Sequence, residues 1–154
     1  VSEQFDLNGI PAYVLFSPED GIEATLLELV NAAQVNVYFL AYTLTQDDLA
    51  DALMAANARG VDVRGVMETD KVEDQGSEFL RLQAANMDVR LDGNPGAMHH
   101  KAIIIDNAIV VLGSYNFTSS AEHWNDENML VMADAQLAGQ FLAEFERIFA
   151  EATP

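Results

Sequence analysis

Cysteine is absent from the 154-residue sequence, which excludes disulfide bonds, thiolate metal sites and a cysteine nucleophile. Long apolar runs are also missing. No stretch approaches the roughly 18 consecutive apolar residues that span a bilayer, so we expect no integral membrane segment. No signal peptide is apparent, but the chain starts at Val1 rather than at methionine. We therefore expect a cropped or processed N-terminus, and the compartment, including secretion or membrane anchoring, stays unknown.

Basic residues are scarce. The chain has 7 lysines and arginines against 25 acidic residues, which gives a formal net charge of −18. A surface of this sign repels nucleic acid and anionic membranes, because both are bound largely through cations. Solubility or adaptation to salt is the simplest explanation for the excess of acid. Any polyanionic substrate must then be met by a local cationic patch.

The positions of the few cations indicate where such a patch lies. The lysines are Lys71 and Lys101, and the histidines are His99, His100 and His123. All three histidines and one of the two lysines thus fall within 25 residues of sequence. In a chain that is otherwise acidic, we expect an anion to bind at this cluster.

Strand-like and helix-like hydrophobic periods alternate along the chain, with no repeat and no shift in composition. We expect one domain over residues 1–154, with loose ends at 1–9 and 152–154. Thr45 is the expected N-cap of the second helix, and Asp106-Asn107 suits a tight hairpin turn. The pattern predicts an α/β fold, in which a mixed β-sheet is flanked by helices on both faces. The expected strands are 12–16, 35–42, 61–67, 87–91, 101–105, 108–112 and 128–132, and the expected helices are 23–34, 45–59, 77–86 and 135–150.

The segment from His99 to Asp106 carries reactive side chains at strand spacing. Side chains alternate between the two faces of a strand, so His99 and Lys101 share one face and His100 points to the other. This arrangement suits a nucleophile beside a cation. Asp106 has the opposite parity to His99, and we therefore assign it a supporting or turn role.

The spacing His-x-Lys-x4-Asp is filled by His99, Lys101 and Asp106, and Gly-Ser-Tyr-Asn follows at 113–116, with Glu127 downstream. This order closely resembles the phospholipase D superfamily, and most of all its short, single-motif bacterial nuclease branch. The resemblance implies a phospholipase D-like fold with one motif per chain. Weaker likenesses extend over most of the chain, at residues 16–18, 58–63 and 144–145.

The resemblance implies a role for each residue of the motif. His99 would be the nucleophile that attacks phosphorus to form a phosphohistidine, and Lys101 would bind the phosphate and neutralise its developing charge. Asn116 would donate a hydrogen bond to a phosphate oxygen. Glu127 would hydrogen-bond the catalytic histidine, fix its tautomer and stabilise the imidazolium form.

Three further motif residues have weaker assignments. Asp106 belongs to the family's catalytic set, although its parity favours the turn role. Ser114 would help to bind the phosphate, and Gly113 would let the backbone approach the substrate closely. For Ser114, an ordinary strand-to-helix turn explains the residue equally well, because glycine, serine and asparagine are favoured in turns.

The other histidines and the single tryptophan are expected to be structural. Because adjacent strand residues diverge, His99 and His100 do not suit a metal site, and we expect neither a metal nor a cofactor. His123 and Trp124 lie in a loop. An aromatic ring there could stack on a base, but we favour packing within the loop.

The implied activity is that of a metal-independent phosphodiesterase, an endonuclease that cleaves nucleic acid through a phosphohistidine. One imidazole attacks and another protonates the leaving oxygen, whereas the chain holds one motif. We therefore expect a homodimer in which two His99 residues face each other across a two-fold axis. Two alternatives stay open: phospholipase D-type hydrolysis of phospholipid headgroups, and a non-catalytic dimeric binding scaffold.

Overall fold

An eight-stranded mixed sheet runs through the computed structural model, which describes residues 4–154. The strand order is β1-β2-β8-β7-β6-β3-β4-β5; β3, β4 and β5 are parallel, and all other neighbours are antiparallel. The elements in chain order are β1 (Gln4–Leu7), β2 (Ile10–Ser17), α1 (Ile22–Ala32), β3 (Asn36–Ala41), α2 (Asp47–Ala58), β4 (Asp62–Met67), α3 (Phe79–Ala84), β5 (Asp88–Leu91), β6 (Lys101–Ile105), β7 (Ile109–Gly113), α4 (Ser119–His123), β8 (Glu127–Ala133) and α5 (Ala135–Glu151).

Side-chain alternation along the strands produces two cores. In β3, Val37 and Phe39 pack with residues of α1 to α4, whereas Tyr38 and Leu40 pack with residues of α5. The whole of β3 is buried, as expected for a central strand that is covered on both sides. The predicted α/β fold with helices on both faces of a mixed sheet is therefore confirmed.

Helix α5 covers its face of the sheet alone and follows from its sequence pattern. Asp134 caps it by accepting hydrogen bonds from the amides of Gln136 and Leu137. Phe145 is fully buried and stacks on Tyr38 with ring centroids 4.9 Å apart. No helix of the described residues is long and apolar enough to cross a membrane.

Two local predictions have different outcomes. Asp106 and Asn107 join β6 to β7 with φ angles of 53° and 54°, which confirms the tight hairpin turn. The N-cap prediction is wrong: α2 begins after Gln46, and Thr45 instead donates its amide to the Phe117 carbonyl at 2.9 Å. Thr45 is therefore still part of an extended segment that continues β3.

Described residues within the ranges 1–9 and 152–154, where the sequence predicts loose ends, take part in main-chain pairing. β1 pairs along its full length with β2 in a hairpin. Thr153 exchanges two main-chain hydrogen bonds with Leu91, at 2.7 and 2.9 Å, and so extends the edge of the sheet beside β5. Residues 1–3, which belong to the expected loose N-terminus, lie outside the described residues.

A glycine in β4 tests the packing of the central strands. A Cβ atom on Gly65 would lie 2.0 Å from the Phe39 ring, so we expect Gly65→Ala to lower the free energy of unfolding by at least about 2 kcal/mol. The matched control is Gly139→Ala in α5, where a Cβ atom meets nothing within 4 Å. Alanine should stabilise that helix by about 0.5–1 kcal/mol. Denaturant unfolding measures both, and equal effects of the two variants would contradict this packing.

Candidate active site

The motif residues meet at one end of four central strands, where β3 and β7 end and β6 and β8 begin. β6 runs antiparallel to β3, with Lys101 opposite Ala41, so the start of β6 lies beside the end of β3. β7 runs antiparallel to β8, with Gly113 opposite Met129, so β7 ends where β8 begins. Motif segments that are distant in sequence are therefore neighbours at this end of the strands.

His99 and Lys101 lie together, as strand parity predicts. The Lys101 Nζ atom is 3.2 Å from His99 Nδ1, 3.3 Å from His99 Nε2, and donates to the His99 carbonyl at 2.9 Å. The His99 ring is exposed and Lys101 is half-buried. His100 points to the other face, where its Nε2 atom is 3.6 Å from Glu144 in α5. An accessible imidazole is thus held beside an ammonium group.

A short extension of β3 holds the two motif segments in place. Tyr42 donates its amide to the His100 carbonyl at 2.9 Å. Phe117 donates to the Thr43 carbonyl at 3.2 Å and accepts from the Thr45 amide at 2.9 Å. The backbone of residues 42–45 therefore runs between the His99 segment and the Asn116 segment and fixes their separation.

Sequence reasoning missed two residues that support His99. The Tyr42 ring contacts the His99 ring, with centroids 4.3 Å apart. Glu68 is 4% exposed and its carboxylate accepts a hydrogen bond from the Met98 amide at 2.5 Å, directly before His99. Tyr42 directly follows β3 and Glu68 directly follows β4. A polar side chain at the end of a buried strand is the sequence feature that could have identified both as site residues.

Glu127 is held by two neighbouring side chains of its own chain. Its carboxylate accepts a hydrogen bond from Ser114 Oγ at 2.5 Å and from Asn125 Nδ2 at 3.1 Å, and it makes none with His99 of the same chain. Ser114 also accepts from the Asn128 amide at 3.1 Å. In this chain, Ser114 therefore positions Glu127 and the start of β8.

Gly113 allows a close approach, but to the neighbouring strand. A Cβ atom at Gly113 would lie 2.2 Å from the Asn128 carbonyl oxygen, which accepts the amides of Ser114 and Tyr115 at 3.1 and 3.4 Å. This main-chain contact requires a residue without a side chain, and it starts the turn toward Asn116. A β-carbon here would displace the whole Gly-Ser-Tyr-Asn segment.

Asn116 is anchored through its neighbours. Tyr115 is 2% exposed, and its hydroxyl donates to Glu122 at 2.8 Å and accepts from Gln46 at 2.6 Å. Burial and this bond to Glu122 raise the pKa of Tyr115, which keeps the phenol protonated. The Asn116 side-chain oxygen is buried without a hydrogen-bond partner among the described residues. The backbone around Asn116 is therefore fixed, while its side-chain oxygen is not engaged by another described residue.

Two residues considered from the sequence lie in other surroundings. Asp106 is at the far end of β6, where its carboxylate accepts the amides of Gln34, Val35 and Asn36 at 2.7–3.1 Å. The structure thus places Asp106 at the hairpin turn and not beside His99. Trp124 is 82% exposed, so the expected packing within its loop is wrong.

The electrostatics of the site centre on Lys101. Burial lowers its pKa below the ordinary value of 10.5, and the Glu127 carboxylate partly opposes this shift by favouring the ammonium form. Among residues 4–154, no three histidine or acidic side chains come together as a metal site would require. The Lys101 ammonium, 3.2–3.3 Å from the ring nitrogens, is a positive charge beside the His99 ring.

This sheet, with an exposed histidine and a lysine at its edge, defines a phospholipase D-like domain. A family profile described as "Cardiolipin synthase, PLD-like domain" matches residues 26–149, and the chain belongs to the phospholipase D superfamily. The expected family is confirmed. The chain fits the single-motif bacterial branch, because the crystal structure of Nuc, a phospholipase D family member from Salmonella typhimurium, matches it over nearly the whole of both chains.

The similarities can be given in numbers. Nuc matches with a TM-score of 0.88 and 31% identity over 94% of this chain and 97% of Nuc. "Phospholipase D" of Rickettsia bellii is 35% identical over 127 residues, which are 82% of this chain and 63% of the relative. Human "Mitochondrial cardiolipin hydrolase" is 36% identical over 84% of this chain and 51% of the relative. The chain thus spans less than two thirds of these curated relatives.

The lysine content allows a direct test of the electrostatics. Because lysine occurs at two positions, side-chain NMR of labelled lysine should show two resonances. We expect Lys101 to lose its proton at a pH below the ordinary pKa of 10.5. Glu127→Gln should lower the pKa of Lys101 further, because the ammonium form loses a favourable negative charge.

The control is Asp126→Asn, which removes an equal charge next to Glu127 in sequence. It should leave the Lys101 titration nearly unchanged, since Glu127 is the residue whose charge acts on Lys101. A rise in the pKa of Lys101 in Glu127→Gln would contradict this description of the site.

Proposed function

We propose that the chain is a metal-independent phosphodiesterase that hydrolyses nucleic acid through a phosphohistidine, in an active site shared by two copies. The observation that carries the proposal is the exposed His99 ring with the Lys101 ammonium 3.2–3.3 Å from its nitrogens. A neutral imidazole is a competent nucleophile, and a fixed cation beside it stabilises charge that develops on the phosphoryl oxygens.

The reaction has two displacement steps. A His99 ring nitrogen attacks phosphorus, the bond to the leaving oxygen breaks, and that oxygen takes a proton from a second imidazole. Water then attacks the phosphohistidine and gives a proton to the second imidazole, and the bond between phosphorus and His99 breaks. Lys101 and the Asn116 amide would hold the non-bridging oxygens in both steps. The Lys101 charge supports activity without a divalent cation.

The second imidazole is best supplied by a second copy of the chain. His100 faces α5 and lies beside Glu144, and His123 lies at the end of α4 in a cleft with Glu23 and Asp48. Among the described residues, neither imidazole is hydrogen-bonded to the His99 ring or stacked on it, and the sequence has no other histidine. A two-fold arrangement of two exposed His99 rings supplies both the nucleophile and the acid. It would also let Glu127 of each copy bond the opposite His99.

Likeness to Nuc supports the nucleic-acid substrate, and a similarity of fold to NucT from Helicobacter pylori, with a TM-score of 0.86 and 23% identity, is consistent with it. A phospholipid is the second candidate, because the curated relatives include proteins named phospholipase D and cardiolipin hydrolase. The exposed Phe16 and Trp124 side chains, 51% and 82% accessible, would suit contact with a lipid surface.

Two adjacent histidines give a matched test. In EDTA, the wild-type chain should cleave plasmid DNA, single-stranded DNA or bis-p-nitrophenyl phosphate, and His99→Asn should reduce the rate about a thousandfold or more. His100→Asn removes the same chemical group one residue away on the other face, and it should retain activity. Equal losses in both variants would contradict the assignment of His99 as the nucleophile.

The same assay separates the candidate substrates. DNA cleavage that is lost in His99→Asn supports the nuclease. Cleavage of cardiolipin or phosphatidylcholine liposomes with intact DNA would favour the phospholipase. If neither substrate class reacts and no phosphohistidine is trapped, the catalytic proposal fails and the dimeric scaffold becomes the better interpretation.

Sharing of the site is tested with a mixed dimer. We expect an isolated heterodimer of one wild-type and one His99→Asn chain, purified through two different tags, to lose nearly all activity, because one of the two imidazoles is missing. A heterodimer with half the wild-type rate would show that each chain has an independent site. The matched heterodimer with one His100→Asn chain should remain active.

A further inference from the structure

The charge of the chain leaves few cations for a polyanion. Each arginine already has partners among the described residues, mostly carboxylates of the same or a neighbouring element. These partners are Asp62 for Arg64, Asp51 and Glu78 for Arg81, Asp88 for Arg90, Glu144 and Glu151 for Arg147, and the main-chain carbonyls of Val30 and Asn31 for Arg59. The two lysines are distinguished by their position, because both lie beside the motif residues.

Both lysines lie against the same aromatic ring. The Lys101 Nζ atom is 4.8 Å from the centroid of the Tyr42 ring, and the Lys71 Nζ atom is 5.6 Å from it. The two ammonium groups are thus within about 10 Å of each other. Because Tyr42 also contacts His99, Lys71 belongs to the surroundings of the nucleophile although it is far away in sequence.

The position of Lys71 is fixed by the same carboxylate that supports His99. A short 3₁₀ turn, Thr69–Lys71, follows β4, and Glu68 caps it by accepting the Asp70 amide at 3.2 Å. The other Glu68 oxygen accepts the Met98 amide, next to His99. One buried side chain therefore joins the turn that carries Lys71 to the segment that carries the nucleophile.

We propose that Lys71 binds a substrate phosphate one or two nucleotides away from the phosphate attacked by His99. Phosphates of one duplex strand are about 3.4 Å apart along the helix axis, and an extended single strand spaces them more widely. Because the two ammonium groups are at most about 10 Å apart, phosphates one or two nucleotides apart on the same strand can reach both. The inference depends on the proposed nuclease function and deepens it, because it requires a substrate with more than one phosphate.

Asp74 competes with the substrate for Lys71. Its carboxylate is 3.4 Å from Lys71 Nζ, and both side chains are partly exposed. An exposed ion pair of this kind contributes little stability, so a phosphate can displace Asp74 from the ammonium group. Loss of Lys71 and loss of Asp74 should therefore change the use of long substrates in opposite directions.

The test compares two substrates with the same chemistry and different numbers of phosphates. Thymidylyl-thymidine has one phosphodiester, and an oligothymidylate of about twelve nucleotides has many. Lys71→Gln should reduce kcat/KM about tenfold on the oligonucleotide and leave it within about twofold on the dinucleotide. The slope of log kcat/KM against log salt on the oligonucleotide should become shallower by about 0.7.

Matched variants control for charge alone. Arg59→Gln also removes one cation, at the opposite edge of the sheet, and should affect the oligonucleotide far less than Lys71→Gln. Asp74→Asn should raise kcat/KM on the oligonucleotide, and it should do so more than Glu73→Gln, which removes a neighbouring acid that is not ion-paired with Lys71.

The outcomes separate this inference from the proposed function. If the wild-type chain cleaves both substrates and Lys71→Gln matches it on the oligonucleotide, the phosphate contact is wrong and the nuclease proposal stands. If Lys71→Gln lowers kcat/KM equally on both substrates, Lys71 acts by positioning Tyr42 and His99. That result would also overturn the proposed contact between Lys71 and a substrate phosphate. If the wild-type chain cleaves neither substrate but hydrolyses a lipid, both proposals fail.

Discussion

The site depends on residues 42–45, a short extended segment that continues the chain beyond the end of β3. Through main-chain hydrogen bonds, Tyr42 holds the carbonyl of His100, and Thr43 and Thr45 hold Phe117 on the other side. The distance between the nucleophile segment and the Asn116 segment is therefore set by main-chain hydrogen bonds. The buried Glu68 and the hairpin between β6 and β7 complete this frame by fixing the two ends of the His99 strand.

A strongly acidic surface is compatible with a polyanionic substrate, because most surface carboxylates act over long distances whereas the lysines of the site act at short range. At physiological ionic strength, exposed charges are largely screened beyond about 8 Å, so distant carboxylates mainly slow the encounter. Inside the site, two lysines gather around Tyr42, and contacts there are too short to be screened in this way. Four of the five arginines are paired with nearby carboxylates, and Arg59 donates to main-chain carbonyls at the opposite end of the strands. The few cations are thus concentrated at the place where a phosphate would bind.

Local pattern predicted much of this arrangement, and tertiary pairing determined the rest. Strand parity placed His99 beside Lys101 and Asp106 in a turn, because both depend on the alternation of one strand. The partners of Glu127 could not be predicted, since they depend on how β8 meets the end of β7. The same holds for Glu68, whose bond to the Met98 amide joins segments that are thirty residues apart. The exposure of the Trp124 side chain could not be predicted either, because the sequence of a loop does not fix the direction in which its side chains point.

The central claim is that one phosphoryl group is transferred to His99 in a site built from two chains. The most direct measurement is rapid quenching during turnover, followed by mass spectrometry of the peptide that contains His99 and by a count of bound phosphate per chain. Our account predicts an acid-labile phosphoryl group on His99 and at most one for every two chains, because the opposite His99 serves as the acid. Two phosphoryl groups per pair of chains, or a phosphoryl group on a residue other than His99, would contradict it.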